Sequence, residues 1–278
     1  MNQSEIRLGT SAFTAAGWPG TFYPEGVNPA DYLSSYAERF DTVEVDSTFY
    51  RTPSVSTVRG WYAKTPKEFL FSAKIVQTIT HEKVLVDCEE DLKKYLAVMG
   101  ILGEKLGPLL FQFPYFNRKA FATGADFLAR LTPFLKKLPR GYKFAVEIRN
   151  KNWLVPALTY ALAARGVALA LIDHPWMPRP QQLMERIDPI TADFTYIRWL
   201  GDRKGIEEQT KTWDKIIVDR KKELREWANV CWKLNARGVP IFAYANNHYA
   251  GNGPATVELF RKLFAALQLK RSEANDAR

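Results

Sequence analysis

The feature that most constrains the fold is an unbroken alternation of short apolar segments with helix-like segments along nearly the whole chain. Eight apolar segments have the length and flanking turn residues of β-strands, at 6–10, 40–50, 69–74, 109–113, 143–149, 167–172, 196–199 and 239–244. Such alternation implies parallel pairing, and eight units can close into a barrel. The sequence therefore predicts an α/β fold, a single (β/α)8 TIM barrel. An open doubly wound sheet is the alternative, but no Gly-rich dinucleotide fingerprint follows the first strand.

The intervals between the predicted strands carry helical signals. Asn28 can cap a helix with Pro29 at its first position, Ser54 introduces a second helix, and Pro254 opens the last one. Between them we predict helices at about 89–102, 125–137, 155–165, 181–187 and 220–236, with a long polar loop over 200–219. No linker or low-complexity segment interrupts the pattern. We therefore predict one domain over residues 1–270 and a frayed tail over 271–278.

The bulk properties narrow the class of protein and its partners. The formal net charge is +9, from 39 Lys and Arg against 30 Asp and Glu. This excess favours anionic partners, either phosphorylated metabolites or nucleic acid, or it serves only to keep the protein in solution. No apolar run approaches the roughly 20 residues that cross a bilayer, residues 1–7 are polar, and Cys88 and Cys231 have no metal-ligand spacing. We expect a cytoplasmic protein with reduced thiols and no membrane partner, and the oligomeric state stays open.

The second predicted strand has one acidic face and one apolar face. Thr42, Glu44 and Asp46 lie on one side of its period-two pattern, and Val43 and Val45 lie on the other. Two carboxylates on one face are costly to bury unless a partner or a proton neutralises them. We interpret this strand as the floor of a polar site, and a partly solvated edge strand is the alternative.

Polar side chains also mark the carboxyl ends of other predicted strands, where a barrel carries its chemistry. The candidates for catalysis are Glu44, Asp46, Lys74, Glu147 and Arg149. Lys74 could meet an anion or exchange a proton, or it could pair with a carboxylate of the second strand. Glu147 and Arg149 could clamp a ligand or neutralise each other. The ligand-binding candidates are Thr10, Trp18, Tyr50, His81, Gln112, Asp173, Arg198, Tyr244, Asn246 and Asn247.

The loop at 246–254 gives a second signal, because it contains two glycines and runs directly into a predicted helix N-terminus. Free backbone N–H groups and the helix dipole suit an anion at such a place, and Arg198 would stand beside it. Barrels often hold phosphate after strands seven and eight, which favours a phosphate site here. A loop that merely turns the chain is the alternative.

The histidines raise the question of a metal site. The chain has three, His81, His174 and His248, and all fall in loops at the same predicted rim. Together with the carboxylates at the strand ends they could bind Zn or Mn, but no pair has the HxxxH or HExxH spacing. We therefore predict no cofactor and no metal site, and a divalent metal is the open alternative.

Aromatic side chains cluster near the same strand ends. They are Phe13, Trp18, Phe22, Tyr23, Phe49, Tyr50, Trp153, Trp176 and Trp199. These rings could stack on the sugar or base rings of a ligand, or they could cap the barrel mouth as part of the core.

Several motifs taken together resemble one known family. They are 9–11 (GTS), 18–24 (WPGTFYP), 43–50 (VEVDSTFY) with Pro53, Trp61 with 65–66 (TP), 69–74 (FLFSAK), 79–81 (ITH), 106–114 (LGPLLFQFP), 145–149 (AVEIR) with Trp153, Arg198, and 244–247 (YANN). The pattern is similar to the DUF72 or YecE-like family, which is of TIM-barrel type and has no established activity. The resemblance covers nearly the whole chain and implies the barrel. The family often carries Asn where this chain has Asp46, and residues 13–16 resemble an insertion before Trp18.

Three hypotheses for function follow. The first is an enzyme that hydrolyses or isomerises a phosphorylated or otherwise anionic small molecule, with Glu147 or Glu44 as general acid/base. In it, Lys74 and Arg198 would bind the anion and Asn246 would orient the substrate. The second is a barrel that binds nucleic acid or processes it with a divalent metal. The third is a non-enzymatic ligand sensor or scaffold.

Overall fold

Eight short parallel strands form one sheet and alternate with helices along the chain. The structure, a computed structural model, describes residues 5–276. Its strands are β1 (Ile6–Thr10), β2 (Thr42–Val45), β3 (Leu70–Lys74), β4 (Leu106–Gln112), β5 (Phe144–Glu147), β6 (Ala168–Asp173), β7 (Thr195–Trp199) and β8 (Ile241–Ala245). The hydrogen-bonded order is β1-β8-β7-β6-β5-β4-β3-β2, and each neighbouring pair is parallel. The prediction of a (β/α)8 barrel is confirmed.

The helices begin largely where their capping residues predict. Among the described residues they are α1 (Tyr32–Ala37), α2 (Val55–Ala63), α3 (Glu89–Met99), α4 (Gly124–Lys137), α5 (Pro156–Ala163), α6 (Pro180–Met184), α7 (Arg203–Glu207), α8 (Lys221–Asn235), α9 (Asn247–Ala250) and α10 (Gly253–Asp276). Ser54 Oγ accepts a hydrogen bond from Thr57 N at 3.1 Å at the start of α2. Helix α7 corrects the prediction of an irregular loop over 200–219, and an ion pair of 2.8 Å between Arg203 and Glu207, one turn apart, supports it.

Strand β4 begins at Leu106, before the predicted start at residue 109. Its register against β3 shifts, because Leu106 pairs with Phe71 whereas Leu109 pairs with Ala73. The intervening Gly-Pro pair occupies this bulge, where the missing N–H of the proline needs no ladder partner. The strand therefore continues through a dipeptide that the sequence alone suggests is a turn.

Helix α10 continues to Asp276, through most of the segment for which the sequence predicts a frayed tail. No Gly or Pro interrupts this segment. The Arg271 guanidinium lies 3.8 Å from the centroid of the Trp232 ring on α8. It also donates a hydrogen bond to Asn229 Oδ1 at 3.3 Å. These contacts hold the end of α10 against α8, and residues 277–278 lie outside the described residues.

The seam of the barrel lies between β1 and β2, the two ends of the hydrogen-bonded order, and a phenol from α1 joins them. Thr10 N donates to Tyr36 Oη at 2.8 Å, and Tyr36 Oη donates to Thr42 O at 3.1 Å. A Cβ atom at Gly9 would lie 2.1 Å from Thr42 O, so only glycine lets the two strands approach this closely. Tyr36 therefore supplies at the seam the hydrogen bonds that a strand partner supplies elsewhere.

We expect Tyr36→Phe to lower the free energy of unfolding by about 1–3 kcal/mol, because it leaves a buried backbone N–H and a buried carbonyl without their shared partner. Urea denaturation measures the change. Tyr32→Phe on the same helix is the matched control, since no described residue bonds its hydroxyl, and we expect it to change stability by less than about 0.5 kcal/mol. Equal effects of the two substitutions would contradict a bridging role for Tyr36.

The interior of the barrel has an apolar layer below a polar one. Residues that face inward alternate along each strand with residues that face the helices. The interior apolar cluster comprises Leu110, Ala145, Ala168, Ala170, Phe194, Tyr196, Phe242 and Tyr244. The intervening residues, such as Leu109, Val146 and Ile197, belong to the larger core beneath the helices. Closer to the carboxyl ends of the strands, several inward positions become polar, and they form the candidate site.

Two further observations concern the environment of the chain. The described part of the chain holds no helix whose length and hydropathy would suit a bilayer crossing. Cys88 and Cys231 are free and buried. Burial raises the pKa of the Cys88 thiol to about 11 and raises that of Cys231 further, so neither is a thiolate at neutral pH.

Candidate functional site

Five polar side chains occupy the upper inward positions of the barrel. They are Glu44 on β2, Lys74 on β3, Gln112 on β4, Glu147 on β5 and Arg198 on β7. Each lies two residues after an inward-facing residue of the layer below, as the period of a strand requires. Alternation thus brings together residues that are up to 154 positions apart in the chain, as the contact between Glu44 and Arg198 shows.

A chain of charge-assisted hydrogen bonds runs across this layer. Arg198 Nη2 donates to Glu44 Oε1 at 2.7 Å, and Arg198 Nη1 donates to Glu147 Oε2 at 2.6 Å. The Tyr196 hydroxyl donates to Glu44 Oε2 at 2.6 Å. Arg149 Nε donates to the other oxygen of Glu147. Both carboxylates are therefore held at both oxygens, and Arg198 bridges them.

These groups are buried, and the charges of Glu147 and Arg198 stabilise each other. Glu44 and Glu147 have no exposed surface, and Arg198 is 3% exposed. Burial raises the pKa of Glu147, but Arg149 and Arg198 outweigh it and hold the pKa at about 2. Burial lowers the pKa of Arg198, but Glu44 and Glu147 outweigh it and raise the pKa. The network therefore acts as a rigid array of charges rather than as a source of protons.

Asp46 and Lys74 differ from this network because their charged atoms have no hydrogen bond or ion pair with another described residue. Asp46 follows β2 at the start of a short 3₁₀ turn, Ser47–Phe49. Lys74 Nζ lies 4.3 Å from the centroid of the Phe49 ring. Both side chains are largely but not completely buried. Their charged atoms are therefore free to meet a ligand at the mouth.

The pKa values of these two groups are both shifted towards neutral pH, that of Asp46 upwards and that of Lys74 downwards. Burial, and next the negative charge of Glu44, raise the pKa of Asp46 to about 6. Burial, and next the positive charge of Arg198, lower the pKa of Lys74 to about 8. A carboxyl and an amine with such pKa values can each exchange a proton near neutral pH.

His81 lies at the edge of this site. Its ring contacts the Phe49 ring at a centroid distance of 4.8 Å, and its Nδ1 lies 2.9 Å from Thr80 Oγ1. Burial, followed by the charges of Lys74 and Arg149, lowers the pKa of His81 to about 4. The imidazole is therefore neutral at neutral pH. Gln112 is half-buried, and its amide Nε2 donates to Phe113 O at 2.7 Å.

Several predicted site residues lie outside the mouth. Thr10 bonds the Tyr36 phenol at the seam, at 2.9 Å between the two hydroxyl oxygens. Trp18 is 1% exposed and packs on Phe22 and Tyr23, so it belongs to the core. The Tyr244 hydroxyl lies in the layer below the site, 2.8 Å from Thr42 Oγ1 and 2.6 Å from Ser72 Oγ. Tyr50 is exposed at the rim of the barrel.

Asp173 is held by side chains on the outer side of the barrel. It follows the outward-facing residues Leu169 and Leu171 of β6 and therefore points towards the helices. Its oxygens accept hydrogen bonds from three side chains: Arg179 at 2.7 Å, Trp227 at 2.7 Å and Tyr249 at 2.9 Å. The structure places Asp173 on the helix side of β6 and not at the mouth, because the residue has the opposite phase to Glu147 and Arg198.

The predicted phosphate site at the loop before α10 is occupied by the protein's own groups. Gly253 N donates to Asn247 Oδ1 at 2.8 Å, and Ala255 N donates to Asn252 Oδ1 at 2.7 Å. Asn246 caps α9 by accepting a hydrogen bond from His248 N at 2.9 Å. Arg198 is committed to the buried glutamates instead of this loop. Asn246 and Asn247 therefore stabilise the loop conformation, and the loop offers little to an anion.

The histidines do not gather around a metal site. His81 contacts Phe49, His174 contacts Trp176 at a centroid distance of 5.3 Å, and His248 Nε2 lies 2.9 Å from Glu207 Oε1. Within residues 5–276 there is no group of three or more His, Cys, Asp or Glu side chains placed to hold a metal ion.

Sequence reasoning missed Tyr196, the phenol that holds Glu44. The signal was present, because Tyr196 precedes Arg198 by two residues on β7 and must share its inward face. It also missed the cavity beside the mouth that Arg149 shares with Tyr115, Trp176 and Arg186. That cavity is formed by loops, and their path cannot be read from strand periodicity.

Comparisons with known proteins agree with this architecture. The family described as "Protein of unknown function DUF72" matches residues 7–277. The UPF0759 protein YecE of Escherichia coli (strain K12) is 30% identical over 147 residues, which are 51% of this chain and about half (52%) of that relative. The UPF0759 protein YunF of Bacillus subtilis (strain 168) is 25% identical over 272 residues, 87% of this chain and 92% of the relative.

A solved structure extends the likeness to three dimensions. The crystal structure of a DUF72 family protein from Thermotoga maritima MSB8 superposes with a TM-score of 0.71 at 26% identity. The superposition covers 94% of this chain and 99% of that one. The family match over nearly the whole length and the shared fold lead to one conclusion: the chain belongs to the DUF72 family.

Proposed function

We propose that the protein is an enzyme that acts on an anionic, phosphate-bearing small molecule by general acid/base chemistry at the carboxyl end of the barrel. The observation that carries the proposal is the pair Asp46 and Lys74. Among the described residues, they are the ionisable groups of the mouth without a hydrogen-bond or ion-pair partner, and their pKa values lie near 6 and 8. Groups tuned in this way suit proton transfer at neutral pH.

The buried network determines which residue has which role. Glu44 and Glu147 have both carboxylate oxygens occupied by hydrogen bonds, and Arg149 and Arg198 hold the pKa of Glu147 at about 2. Asp46 is therefore the general base of the proposal, and Lys74 is the general acid. Glu44 and Arg198 act on this pair through their charges: Glu44 raises the pKa of Asp46, and Arg198 lowers that of Lys74.

The charges at the mouth favour an anionic substrate. The Lys74 ammonium has no carboxylate within ion-pair distance among the described residues, and Arg149 uses only its Nε atom on Glu147. The net charge of +9 adds a long-range attraction for anions. The reaction class, hydrolysis or isomerisation, follows from the substrate that is found.

The test is the pH dependence of turnover on a substrate found by screening. Thermal-shift measurements with sugar phosphates and nucleotides at millimolar concentration identify ligands, and NMR identifies their conversion. We expect a bell-shaped rate profile, because Asp46 must lose its proton near pH 6 and Lys74 must keep its proton up to about pH 8. Asp46→Asn should remove the acidic limb, whereas Asp193→Asn, before β7 at the other end of the barrel, should leave it.

Two results would count against this proposal. One is a profile that stays flat between about pH 5 and pH 9. The other is full activity of Asp46→Asn at neutral pH.

A second candidate function is the binding of nucleic acid. It is favoured by three exposed rings that follow alternate strands of the barrel, Tyr50 at 69%, Tyr115 at 65% and Trp176 at 74% exposure. Exposed rings beside cationic side chains suit unpaired bases. This reading predicts an affinity for single-stranded DNA or RNA that falls steeply as salt rises. Binding that ignores salt would exclude it.

A further inference from the structure

A cavity of about 750 Å³ opens beside the barrel mouth, between the segments that follow β4, β5 and β6. The lining residues used below are Tyr115, Arg149, Lys151, Trp176, Gln182 and Arg186. Arg149 connects the cavity to the candidate site, because its Nε atom donates to the buried Glu147 while its side chain lines the cavity. A ligand in the cavity would therefore lie next to the polar layer of the barrel.

The cavity wall is cationic. Arg149, Lys151 and Arg186 contribute positive charge, and no Asp or Glu is among the lining residues. Within residues 5–276, the side chains of Lys151 and Arg186 have no ion pair and no hydrogen bond to the protein. Elsewhere on the surface many arginines are paired, as Arg237 is with Asp188 at 2.8 Å. Arg149 is paired with Glu147 through its Nε atom, so Lys151 and Arg186 are the cations of this wall without a counter-charge among the described residues, and such cations around one concavity suit a phosphate group.

The cavity also has an aromatic wall that faces solvent. Trp176 is 74% exposed, although Trp is among the most costly side chains to leave in water. Its position is defined, because its backbone N donates to His174 Nδ1 at 3.4 Å and its ring contacts that imidazole edge-on. Tyr115 adds a second exposed ring to the same cavity. Such rings suit the planar face of an aromatic ligand.

We infer that this cavity binds a nucleotide, with the phosphate on Arg149, Lys151 and Arg186 and the base stacked on Trp176. The size of the cavity favours a free nucleotide over a polymer, since sites for small molecules typically measure about 300–1,000 Å³. The inference deepens the proposed function by naming its substrate class, and it rests on that proposal for the chemistry. The binding site stands on its own geometry.

The experiment is a calorimetric titration with AMP, ribose 5-phosphate, inorganic phosphate and a single-stranded oligonucleotide of about twelve nucleotides. The test variants are Trp176→Ala, which removes the stacking ring, and Arg186→Gln, which removes a cation. Two variants on outer helices serve as matched controls. Tyr160→Ala removes a ring that is also 74% exposed, and Arg225→Gln removes an exposed cation of α8. Circular dichroism verifies that each variant folds.

We expect AMP to bind more tightly than ribose 5-phosphate, because only AMP presents a base to Trp176. Trp176→Ala should weaken AMP binding about tenfold or more and leave ribose 5-phosphate binding within about twofold. Arg186→Gln should weaken the binding of both ligands about tenfold. The two control variants should bind AMP as the unmodified protein does.

The inference is overturned if AMP binds no more tightly than inorganic phosphate, or if Tyr160→Ala weakens AMP binding as much as Trp176→Ala does. It is also overturned if the oligonucleotide binds more than about tenfold tighter than AMP, which would assign the surface to a polymer. The experiments distinguish a failure of this inference from a failure of the proposed chemistry. If the protein turns over a sugar phosphate and this activity depends on Asp46, but AMP does not bind, only the assignment of the cavity to a nucleotide is refuted. If AMP binding depends on Trp176 but no substrate is turned over, only the proposed chemistry is refuted.

Discussion

Arg198→Met is expected to lower the free energy of unfolding by about 3–5 kcal/mol, the largest loss of stability that we predict for a single substitution. The reason is not the loss of attraction alone. Arg198 is the shared partner of Glu44 and Glu147, and neither carboxylate has any exposed surface. Without the guanidinium, two negative charges would face each other in the barrel with one arginine, Arg149, and one phenol, Tyr196, left as donors. Chemical denaturation monitored by Trp fluorescence measures the loss.

The matched control is Arg237→Met. Arg237 also makes two hydrogen bonds to one carboxylate, Asp188, both of 2.8 Å, but its side chain is 49% exposed. Solvent can replace an exposed partner, so we expect a loss of no more than about 1 kcal/mol. If the two arginines proved equally important, burial would not be the cause that we assign.

The pH dependence gives a second check on the same variant. In the unmodified protein the depressed pKa of Glu147, about 2 against an ordinary 4.5, contributes stability that is present above pH 4.5 and is lost as pH falls towards 2. In Arg198→Met a protonated carboxyl group costs less to bury than an ionised one, so acid should relieve the defect. The difference between the two proteins should therefore narrow as pH falls. Adding Glu44→Gln to the variant should restore part of the stability at neutral pH.

The strand periodicity of the sequence was sufficient to assemble the centre of the site. Glu44, Lys74, Glu147 and Arg198 belong to four different strands, and they meet because each faces inward near a strand end. The alternation along β6 also tells which face Asp173 is on. Asp173 follows the outward-facing residues Leu169 and Leu171 at the period of two, so it faces the helices and not the interior of the barrel. The polar residues at strand ends therefore predict that a site exists. Which of them belong to it depends on whether each residue lies on the inward or the outward face of its strand.

The assignment of chemical roles could not be predicted from sequence. Glu147 and Asp46 are both carboxylates at strand ends, yet the first has a pKa of about 2 and the second of about 6. The difference arises from partners: two arginines hold Glu147, whereas within residues 5–276 no side chain or backbone group bonds the Asp46 carboxylate. Trp18 shows the same limit for aromatic residues, because it is buried while Trp176 lies in solvent. Loop conformation decides these cases, and it is not encoded in a local pattern.

Lys74→Met is expected to lower turnover about 10²–10⁴-fold while it raises the stability of the fold. The two effects have one origin, because the mouth holds an ammonium group that burial and Arg198 disfavour. The pKa of Lys74 is about 8 in the folded state, against an ordinary 10.5. Between about pH 8 and pH 10.5 the folded state therefore binds fewer protons than the unfolded state does. Below about pH 8 the lysine is charged in both states, and burial of that charge lowers the stability of the fold. The cost amounts to about 3 kcal/mol at neutral pH, of which we expect Met to recover about 1–3 kcal/mol.

The sign of the pH effect distinguishes this cause from better packing by Met. The lysine protein should gain stability as pH rises from about 8 towards 10.5, so the advantage of Lys74→Met should be full at pH 7 and should disappear in alkali. Packing alone would give an advantage that does not vary with pH. Lys143→Met at the other end of the barrel, where the lysine pairs with Asp193 at 3.0 Å and is 43% exposed, should show neither effect. A Lys74→Met protein that is less stable than the unmodified one at pH 7 would show that this ammonium is satisfied in the fold and is not held ready for a ligand.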